Sequence, residues 1–446
     1  MDRSCKIGRV EVGCSWLKGN ASRTSIYLRT CWLLKKTPGW TDLLRKQGPN
    51  YLAWLAQNKV LTAKFNDLAT ALWRLLQSRI STPEDACEIW RATPGVLRRC
   101  NEQSTYQMPG ATVAYAWLYL LDRYARTWLA LEKLVASSCL PLAKFGVRTL
   151  DVGTGPGPSA FAVCDFYAAL TEFGRQTDIE LLQQPPAVTC VERDLGNNMF
   201  RHHLAEVIFQ QSGHKSEHML TLCGALPDFG KLMPTEERNR LQLRLRRQED
   251  EYYNEVTQHW DAYPMYSATE ANKIAQSRHR YKMIVFSNFL TTVGTVADYE
   301  PRLSEILSDA QTGSVVMVLG GKGGQYSKIY KYVDRLAKAA GFQLKMKAEN
   351  VSSAETEVAD QVFNEGARVY ELLQALAQDT SKDTKVVRDH FASHRQPAPT
   401  SQMWAYRKYK HGGGRSASRQ ILATPISASG SVTDQSATAG LSVYGT

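Results

Sequence analysis

The chain has 446 residues, of which 43% are apolar and 22% charged, with a formal net charge of +11. This composition is that of a soluble globular protein with room for two or three folding units, and it excludes a largely disordered chain. Nine cysteines occur without any C-x2-C pair, which argues against a zinc site and a dense disulfide framework, so we predict no bound metal. No apolar run approaches the ~18 residues that span a bilayer, and we expect no membrane partner.

The positive charge is concentrated at the N-terminus, where residues 1–50 contain ten Lys and Arg against three Asp and Glu. We interpret this segment as a basic arm, which favours a polyanionic partner such as RNA or a ribosomal subunit. The alternative is an enzyme whose surface is merely basic. A cytoplasmic location is predicted, with a mitochondrial transit peptide as the alternative because the first 36 residues are rich in Arg, Lys and Ser.

Residues 51–140 are predicted to form a helical domain, because apolar residues recur there at three- and four-residue spacings. The expected helices are 51–57, 61–76, 83–91 and 113–135. Five tryptophans on these helices are interpreted as core residues rather than as a surface that stacks nucleic-acid bases. They are Trp54, Trp73, Trp90, Trp117 and Trp128.

Residues 145–410 alternate short β-branched segments with helical ones, which is typical of a mostly parallel sheet with helices on both faces. Seven strands are predicted, at 147–152, 188–192, 219–223, 283–287, 314–319, 342–347 and 403–409. A charged helical insertion is expected at about 234–281, where eight Lys or Arg accompany eight Asp or Glu. Residues 411–446 offer few large apolar side chains, so we predict a disordered tail.

A glycine-rich loop follows the first strand of this region, in the run Asp151-Val-Gly153-Thr-Gly155-Pro-Gly157. Glycine allows positive φ and close approach of a ligand, and Asp151 offers a carboxylate to a cationic group. The dinucleotide pattern G-x-G-x-x-G/A competes with this interpretation, but its third small residue is replaced by Pro158. Prolines also remove N–H donors that a pyrophosphate needs. The loop therefore favours a ligand without phosphate.

This loop resembles the first motif of the class I S-adenosylmethionine-dependent methyltransferases, an acidic residue followed by G-x-G-x-G. The resemblance covers about 145–410 and implies an α/β, Rossmann-like fold with a seven-stranded, mostly parallel sheet. It implies that S-adenosyl-L-methionine is the cofactor and assigns its binding to the following residues: Asp151, Gly153, Gly155, Gly157, Glu192 and Asp228. In that family the acid after the second strand binds the ribose hydroxyls, which is the role of Glu192 here, with Asp194 as the reserve candidate.

The fourth motif of the family matches the end of the strand at 283–287. Ser287, Asn288 and Phe289 are therefore expected to line the cleft where the methyl group is transferred. Members that methylate amino groups of bases carry prolines at this place, and their absence argues against that acceptor. We assign no catalytic residue, because a sulfonium already activates the methyl group and a general base is optional.

A more remote resemblance links the chain to methyltransferase-like proteins that assist small ribosomal subunits, although the cysteine cluster common in those proteins is missing. Three functions remain open on these grounds. The first is a methyltransferase whose acceptor is RNA or a ribosome-associated substrate. The second is a small-molecule methyltransferase whose helical domain covers the pocket, and the third is a non-catalytic protein that binds the cofactor on the same fold.

Overall fold

A computed structural model describes most of the region between residues 39 and 409. The described residues are 39–99, 103–143, 146–184, 186–212, 219–223, 249–254, 259–264, 281–377, 385–392 and 401–409. Residues 1–38, most of the predicted insertion, Asp228 and the predicted tail lie outside them. Among the helices described, none is long and apolar enough to cross a membrane.

The centre of the molecule is a mixed sheet whose strand order is β3-β2-β1-β6-β7-β9-β8. The first five strands in this order are parallel, while β9 runs antiparallel to both β7 and β8. Strands buried on both faces are sequences of consecutive apolar residues, as β6 and β7 show. The strands are β1 (Arg148–Val152), β2 (Ala187–Glu192), β3 (Met219–Cys223), β6 (Met283–Ser287), β7 (Val315–Gly321), β8 (Phe342–Val351) and β9 (Ser401–Lys408).

Helices cover both faces of this sheet. Five of the helices in the described residues precede β1: α1 (Trp40–Gln57), α2 (Val60–Arg79), α3 (Pro83–Arg99), the short α4 (Gln103–Tyr106) and α5 (Ala111–Ala136). The other described helices come after β1: α6 (Pro158–Gln176), α7 (Leu195–Ser212), α8 (Val293–Asp309), α9 (Tyr326–Ala339), α10 (Ala359–Ala377) and α11 (Lys385–Ala392). The class is therefore mixed α/β, as the alternation of strands and helices predicts.

The helices before β1 are not a separate domain, which differs from the expectation for 51–140. Their apolar residues join one hydrophobic cluster with α6 and with the sheet residues Val188, Met283 and Val285. The neighbouring sheet residues Ile284 and Phe286 belong to the second cluster, on the face covered by α8 and α9. Since side chains alternate along a strand, the N-terminal helices complete the burial of one face of the sheet.

The helix α1 also changes the interpretation of the basic arm. The arm was expected to extend to residue 50, but residues 40–50 already belong to α1, where Leu43 and Leu44 are buried. Within the same helix, Tyr51 donates a hydrogen bond of 2.9 Å to the carbonyl of Phe166 on α6. The hypothesis of a basic arm is therefore restricted to residues 1–38, which lie outside the described residues.

The described part of the insertion is not helical. Two strands, β4 (Glu249–Asn254) and β5 (His259–Pro264), pair antiparallel as a separate two-stranded sheet. The prediction of a helical insertion is wrong for these residues. Alternating and aromatic side chains such as Tyr252, Tyr253 and Trp260 suit extended chain better than helix. A count of charged residues does not reveal whether the sequence pattern has the period of a helix or of a strand.

The tryptophan prediction is confirmed for three of the five residues, since Trp90, Trp117 and Trp128 are buried. The Trp128 side chain is fully buried and meets the Phe166 ring edge-on, with 5.1 Å between the ring centroids. This contact joins α5 to α6 directly beside the sheet. The packing of the N-terminal helices onto the sheet depends on such large side chains.

We expect Trp128→Ala to lower the free energy of unfolding by about 3–5 kcal/mol, because the change leaves a cavity between α5 and α6. The partly exposed Trp54 on α1 provides the matched control, and its replacement by alanine costs less. Thermal unfolding of the full chain, followed by both tryptophan fluorescence and circular dichroism, measures these effects. Two separate transitions would contradict the shared core.

Candidate functional site

A cleft of about 440 Å³ opens at the carboxyl edge of the sheet. It lies where β1 separates β2 from β6, the point at which the strand order reverses direction and where open α/β sheets bind ligands. Its wall includes Glu192 at the end of β2 and, from the loops after β1 and β6, Gly153 and Asn288. Such a volume falls within the range of about 300–1,000 Å³ found for small-molecule sites.

The glycine-rich loop forms one wall of the cleft in a conformation that other residues adopt poorly. Gly153, Gly155 and Gly157 have φ of 66°, 59° and 98°. A β-carbon on Gly153 would lie 2.2 Å from Cδ2 of Phe289, and one on Gly157 would lie 2.7 Å from Cδ of Arg201. Glycine is therefore required at these two positions by close packing as well as by the backbone.

The N–H groups of this loop are donated within the protein. Those of Gly153 and Thr154 both donate to the Val191 carbonyl, at 2.8 and 3.2 Å, and that of Gly157 donates to the Thr154 carbonyl at 3.1 Å. The Gly155 N–H donates to Oε2 of Glu192 at 2.6 Å. Pro156 has no N–H to offer. The loop between residues 153 and 157 consequently has no donor left for a phosphate.

Glu192 closes a ring of hydrogen bonds around the loop, which we call the loop ring. Its backbone carbonyl accepts from Nδ2 of Asn198 at 3.0 Å, and Oδ1 of Asn198 accepts from Arg201 at 2.6 Å. Arg201 in turn donates to the carbonyl of Gly155 at 3.0 Å. The loop ring therefore consists of Gly155, Glu192, Asn198 and Arg201. It fixes the glycine loop to the end of β2 and the first turns of α7.

The carboxylate of Glu192 keeps capacity to bind a ligand. Each of its oxygens accepts one backbone N–H, from Gly155 at 2.6 Å and from Asp194 at 2.9 Å. A carboxylate offers about four lone-pair sites, so both oxygens can accept again from hydroxyl groups in the cleft. Burial raises the pKa of Glu192, while the two N–H groups oppose that effect by stabilising the charged form.

Asp151 is not placed as the sequence predicts. It does not line the cleft, its residue is 1% exposed, and neither of its carboxylate oxygens has a hydrogen-bond partner among the described residues. Burial raises the pKa of this carboxyl group to about 7, against the opposing charge of Arg201. Asp151 is therefore a buried group that is not part of the cleft lining.

Of the residues expected at the end of β6, Asn288 and Phe289 line the cleft and Ser287 does not. Asn288 has φ of 53°, a conformation that asparagine tolerates better than most residues, and its N–H donates to the Leu319 carbonyl at 2.8 Å. Its side-chain amide lies 3.4 Å from Oγ of Ser287. Gly157 also lies outside the lining, at the start of α6.

Sequence reasoning missed the wall contributed by the N-terminal helices. Tyr106, Gln107, Tyr115 and Arg123 line the cleft from α4, α5 and the segment between them. Only a helical periodicity marks these residues in the sequence, and that pattern does not distinguish a core tyrosine from a cleft tyrosine. The remaining residues that the sequence did not single out are Arg193, Leu195, Asn197, Thr291, Thr295, Tyr299 and Tyr326.

Comparisons with known proteins add little to this description. No family model and no curated protein matches the chain. Solved structures that resemble it include the [4+2]-cyclase SpnF, with 14% identity, 59% of this chain and 75% of that chain covered, and a TM-score of 0.30. Phosphoethanolamine N-methyltransferase 2 of Haemonchus contortus, in complex with S-adenosyl-L-methionine, has 13% identity, 71% and 60% coverage and a TM-score of 0.34.

An arsenic(III) S-adenosylmethionine methyltransferase of Chlamydomonas reinhardtii shows 12% identity, 61% and 66% coverage and a TM-score of 0.27. Scores this low carry no argument about the activity of the chain. The function therefore has to be inferred from the geometry of the cleft itself.

The buried carboxyl group of Asp151 predicts a specific pH dependence. Its pKa is about 7 in the folded protein against an ordinary value of 3.8, so between these two values the unfolded chain binds fewer protons than the native one. Stability therefore decreases as pH rises from about 4 to about 7. Asp151→Asn removes this contribution. The free energy of unfolding of the variant, relative to that of the unmodified protein, should therefore increase by about 2–4 kcal/mol from pH 5 to pH 8.

Urea unfolding of both proteins at pH 5 and pH 8 measures this change. The contributions of titrating groups that the two proteins share cancel when one free energy of unfolding is subtracted from the other. An equal effect of Asp151→Asn at pH 5 and pH 8 would show that the carboxyl group titrates at its ordinary value.

Proposed function

We propose that the protein is an S-adenosylmethionine-dependent methyltransferase. The observation that carries the proposal is the loop of residues 153–157, whose N–H donors are engaged within the protein while the Glu192 carboxylate stands beside it. A dinucleotide needs free N–H groups for its pyrophosphate at this place, whereas an acid at the end of the second strand can serve ribose hydroxyls in either kind of site. A ligand with ribose hydroxyls, an ammonium and a sulfonium needs acceptors, and Glu192 provides them.

The residues of the cleft suit binding and orientation better than proton transfer. The sulfonium supplies an activated methyl group, and the protein has to hold an acceptor atom ~3 Å from it in line with the leaving sulfur. Asn288 lies at the end of β6 with its backbone held by Leu319, so it can present its side chain to the acceptor from a fixed position. Phe289 and Tyr299 stack at 5.3 Å and exclude water beside it.

We further propose that the acceptor is RNA or a ribosome-associated substrate. The support for this step is the positive charge of residues 1–38, where eight Lys and Arg exceed two Asp and Glu by six. Lys and Arg side chains that neutralise phosphates contribute affinity through the release of counterions. A small-molecule acceptor is the alternative, and the wall that α4 and α5 add to the cleft favours it.

Cofactor binding is tested with one pair of glycine variants. We expect the protein to bind S-adenosylhomocysteine with a Kd of about 1 μM, equivalent to about −8 kcal/mol, and not to bind NAD. Gly155→Val should abolish this binding. A β-carbon at this position would lie 3.7 Å from Cε1 of Tyr115, and the branched side chain would enter the cleft. Calorimetry measures the affinities.

The matched control is Gly313→Val. Gly313 also has positive φ, 82°, but a β-carbon there meets nothing within 4 Å and the residue does not line the cleft. Gly313→Val therefore introduces the same kind of backbone strain without obstructing the cleft. Normal S-adenosylhomocysteine binding by Gly155→Val, or equally weakened binding in both variants, would disprove the assigned loop.

The proposal about RNA is tested by deleting residues 1–38, which precede the described helix α1. RNA binding should weaken, and its dependence on salt concentration should flatten by ~0.7 in slope for each phosphate of a single strand that the arm no longer neutralises. Affinity for S-adenosylhomocysteine should stay unchanged, because the cleft is built from residues after 105. Fluorescence anisotropy at three salt concentrations measures the slope. Unchanged affinity and slope would exclude the arm as an RNA-binding segment and favour a small-molecule acceptor.

A further inference from the structure

The half of the cleft formed by the N-terminal helices contains a cation between aromatic rings. The guanidinium carbon of Arg123 lies 4.7 Å from the ring centroid of Tyr115 and 4.9 Å from that of Tyr119. Arg123 lines the cleft and is only 9% exposed. A desolvated guanidinium held in this way keeps its charge and its planar set of N–H donors in one orientation.

Aromatic side chains stand on two sides of the same short loop. On one side Tyr115 lies 3.7 Å from the β-carbon position of Gly155, and its centroid is 5.7 Å from that of Tyr106. On the other side the Phe289 ring touches Gly153 and stacks on Tyr299. Because Gly153 and Gly155 are two residues apart, their Cα atoms are at most ~7 Å from each other. Tyr115 and Phe289 therefore both line the cleft beside the same loop.

The charges of the cleft are divided between its two halves. Glu192 and Asp194 stand at and just after the end of β2, where backbone N–H groups donate to both oxygens of Glu192 and to one oxygen of Asp194. Arg123 stands on α5, whereas Arg193, which also lines the cleft, lies on the β2 side and is exposed. A ligand that reaches α5 therefore meets a fixed positive charge beside tyrosine rings, and a planar anion complements that surface.

We infer that the acceptor is a planar aromatic ring carrying an acidic group, with the ring in the part of the cleft lined by Tyr106 and Tyr115 and the acid bound by Arg123. This inference rests on the proposed function, since it names the substrate class of the same cleft. A nucleotide, whose planar base is joined to its phosphate through ribose, and a free aromatic carboxylic acid share this chemistry. Arg123 is then the residue that determines acceptor specificity.

The test uses full-length protein saturated with S-adenosylhomocysteine and two matched pairs of probes. One pair is uridine 5′-monophosphate and uridine, and the other is 4-hydroxybenzoate and its methyl ester. In at least one pair the anion should bind about tenfold or more tightly than its neutral partner, as expected for a charge-assisted hydrogen bond. Preference within the first pair identifies a nucleotide as the source, and preference within the second identifies an aromatic acid.

Three variants assign the effect to the cleft. Arg123→Gln should remove the preference for the anion, whereas Arg123→Lys should retain part of it. Arg368→Gln is the matched control, because the Arg368 guanidinium also lies over an aromatic ring, 3.7 Å from the Trp73 centroid, but outside the cleft. It should leave the preference unchanged. Affinity for S-adenosylhomocysteine in each variant reports whether the fold is intact.

Equal binding of anion and neutral partner, no binding of any probe, or a preference that survives Arg123→Gln would overturn the inference while leaving the proposed function standing. If S-adenosylhomocysteine itself fails to bind the unmodified protein, the proposed function is wrong. The same probes titrated against the ligand-free protein and its Arg123 variants then still decide whether the arginine selects planar anions.

Discussion

The loop ring is the constraint on which the cleft depends. A glycine loop with three positive φ values has many alternative conformations when unfolded, and an extended hydrogen-bonded support is needed to hold it in one of them. Here the N–H and the carbonyl of Gly155 are both bound by side chains, through Glu192 and Arg201. Because both of these residues come from β2 and the first turns of α7, the loop after β1 and the end of β2 form one rigid surface.

Burying Asp151 and Arg201 costs free energy of hydration that other interactions in the folded protein have to offset. Arg201 is 2% exposed and Asp151 1% exposed, so both would lose most of their hydration on folding. Arg201 is compensated by the carbonyl of Gly155 and by Asn198, whereas burial leaves Asp151 with a pKa near neutrality. Arg201 thus holds the carbonyl of Gly155 without itself lining the cleft that a ligand has to enter.

Much of the sheet is predictable from the sequence because parallel strands are buried on both faces. The apolar segments at 283–287 and 219–223 coincide with β6 and β3, and the glycine pattern after β1 marks the loop without any knowledge of the tertiary structure. Asn288 and Phe289 are predictable for a related reason, since residues that follow a central parallel strand reach the carboxyl edge of the sheet. These inferences need only local patterns and the general geometry of such sheets.

The residues that the sequence did not reveal depend on contacts between distant segments. Tyr115 and Arg123 belong to a helix that begins before the first strand, and nothing in the helical periodicity indicates that this helix borders the glycine loop. The raised pKa of Asp151 likewise depends on burial by the folded chain and on the opposing charge of Arg201, fifty residues later along the chain. The same dependence explains why the helices expected to form a domain of their own share the core of the sheet.

The central claim is that the cleft between β1, β2 and β6 binds S-adenosylmethionine. Ultraviolet cross-linking of the methyl-labelled cofactor to the full-length protein, followed by mapping of the labelled peptides, tests it most directly. We predict that the label is found in the segments containing Gly153 and Gly155, Glu192 to Asn197, or Asn288 to Thr291, which line the cleft, and that unlabelled S-adenosylhomocysteine suppresses it. Label confined to other segments, or label that S-adenosylhomocysteine does not displace, would contradict this claim.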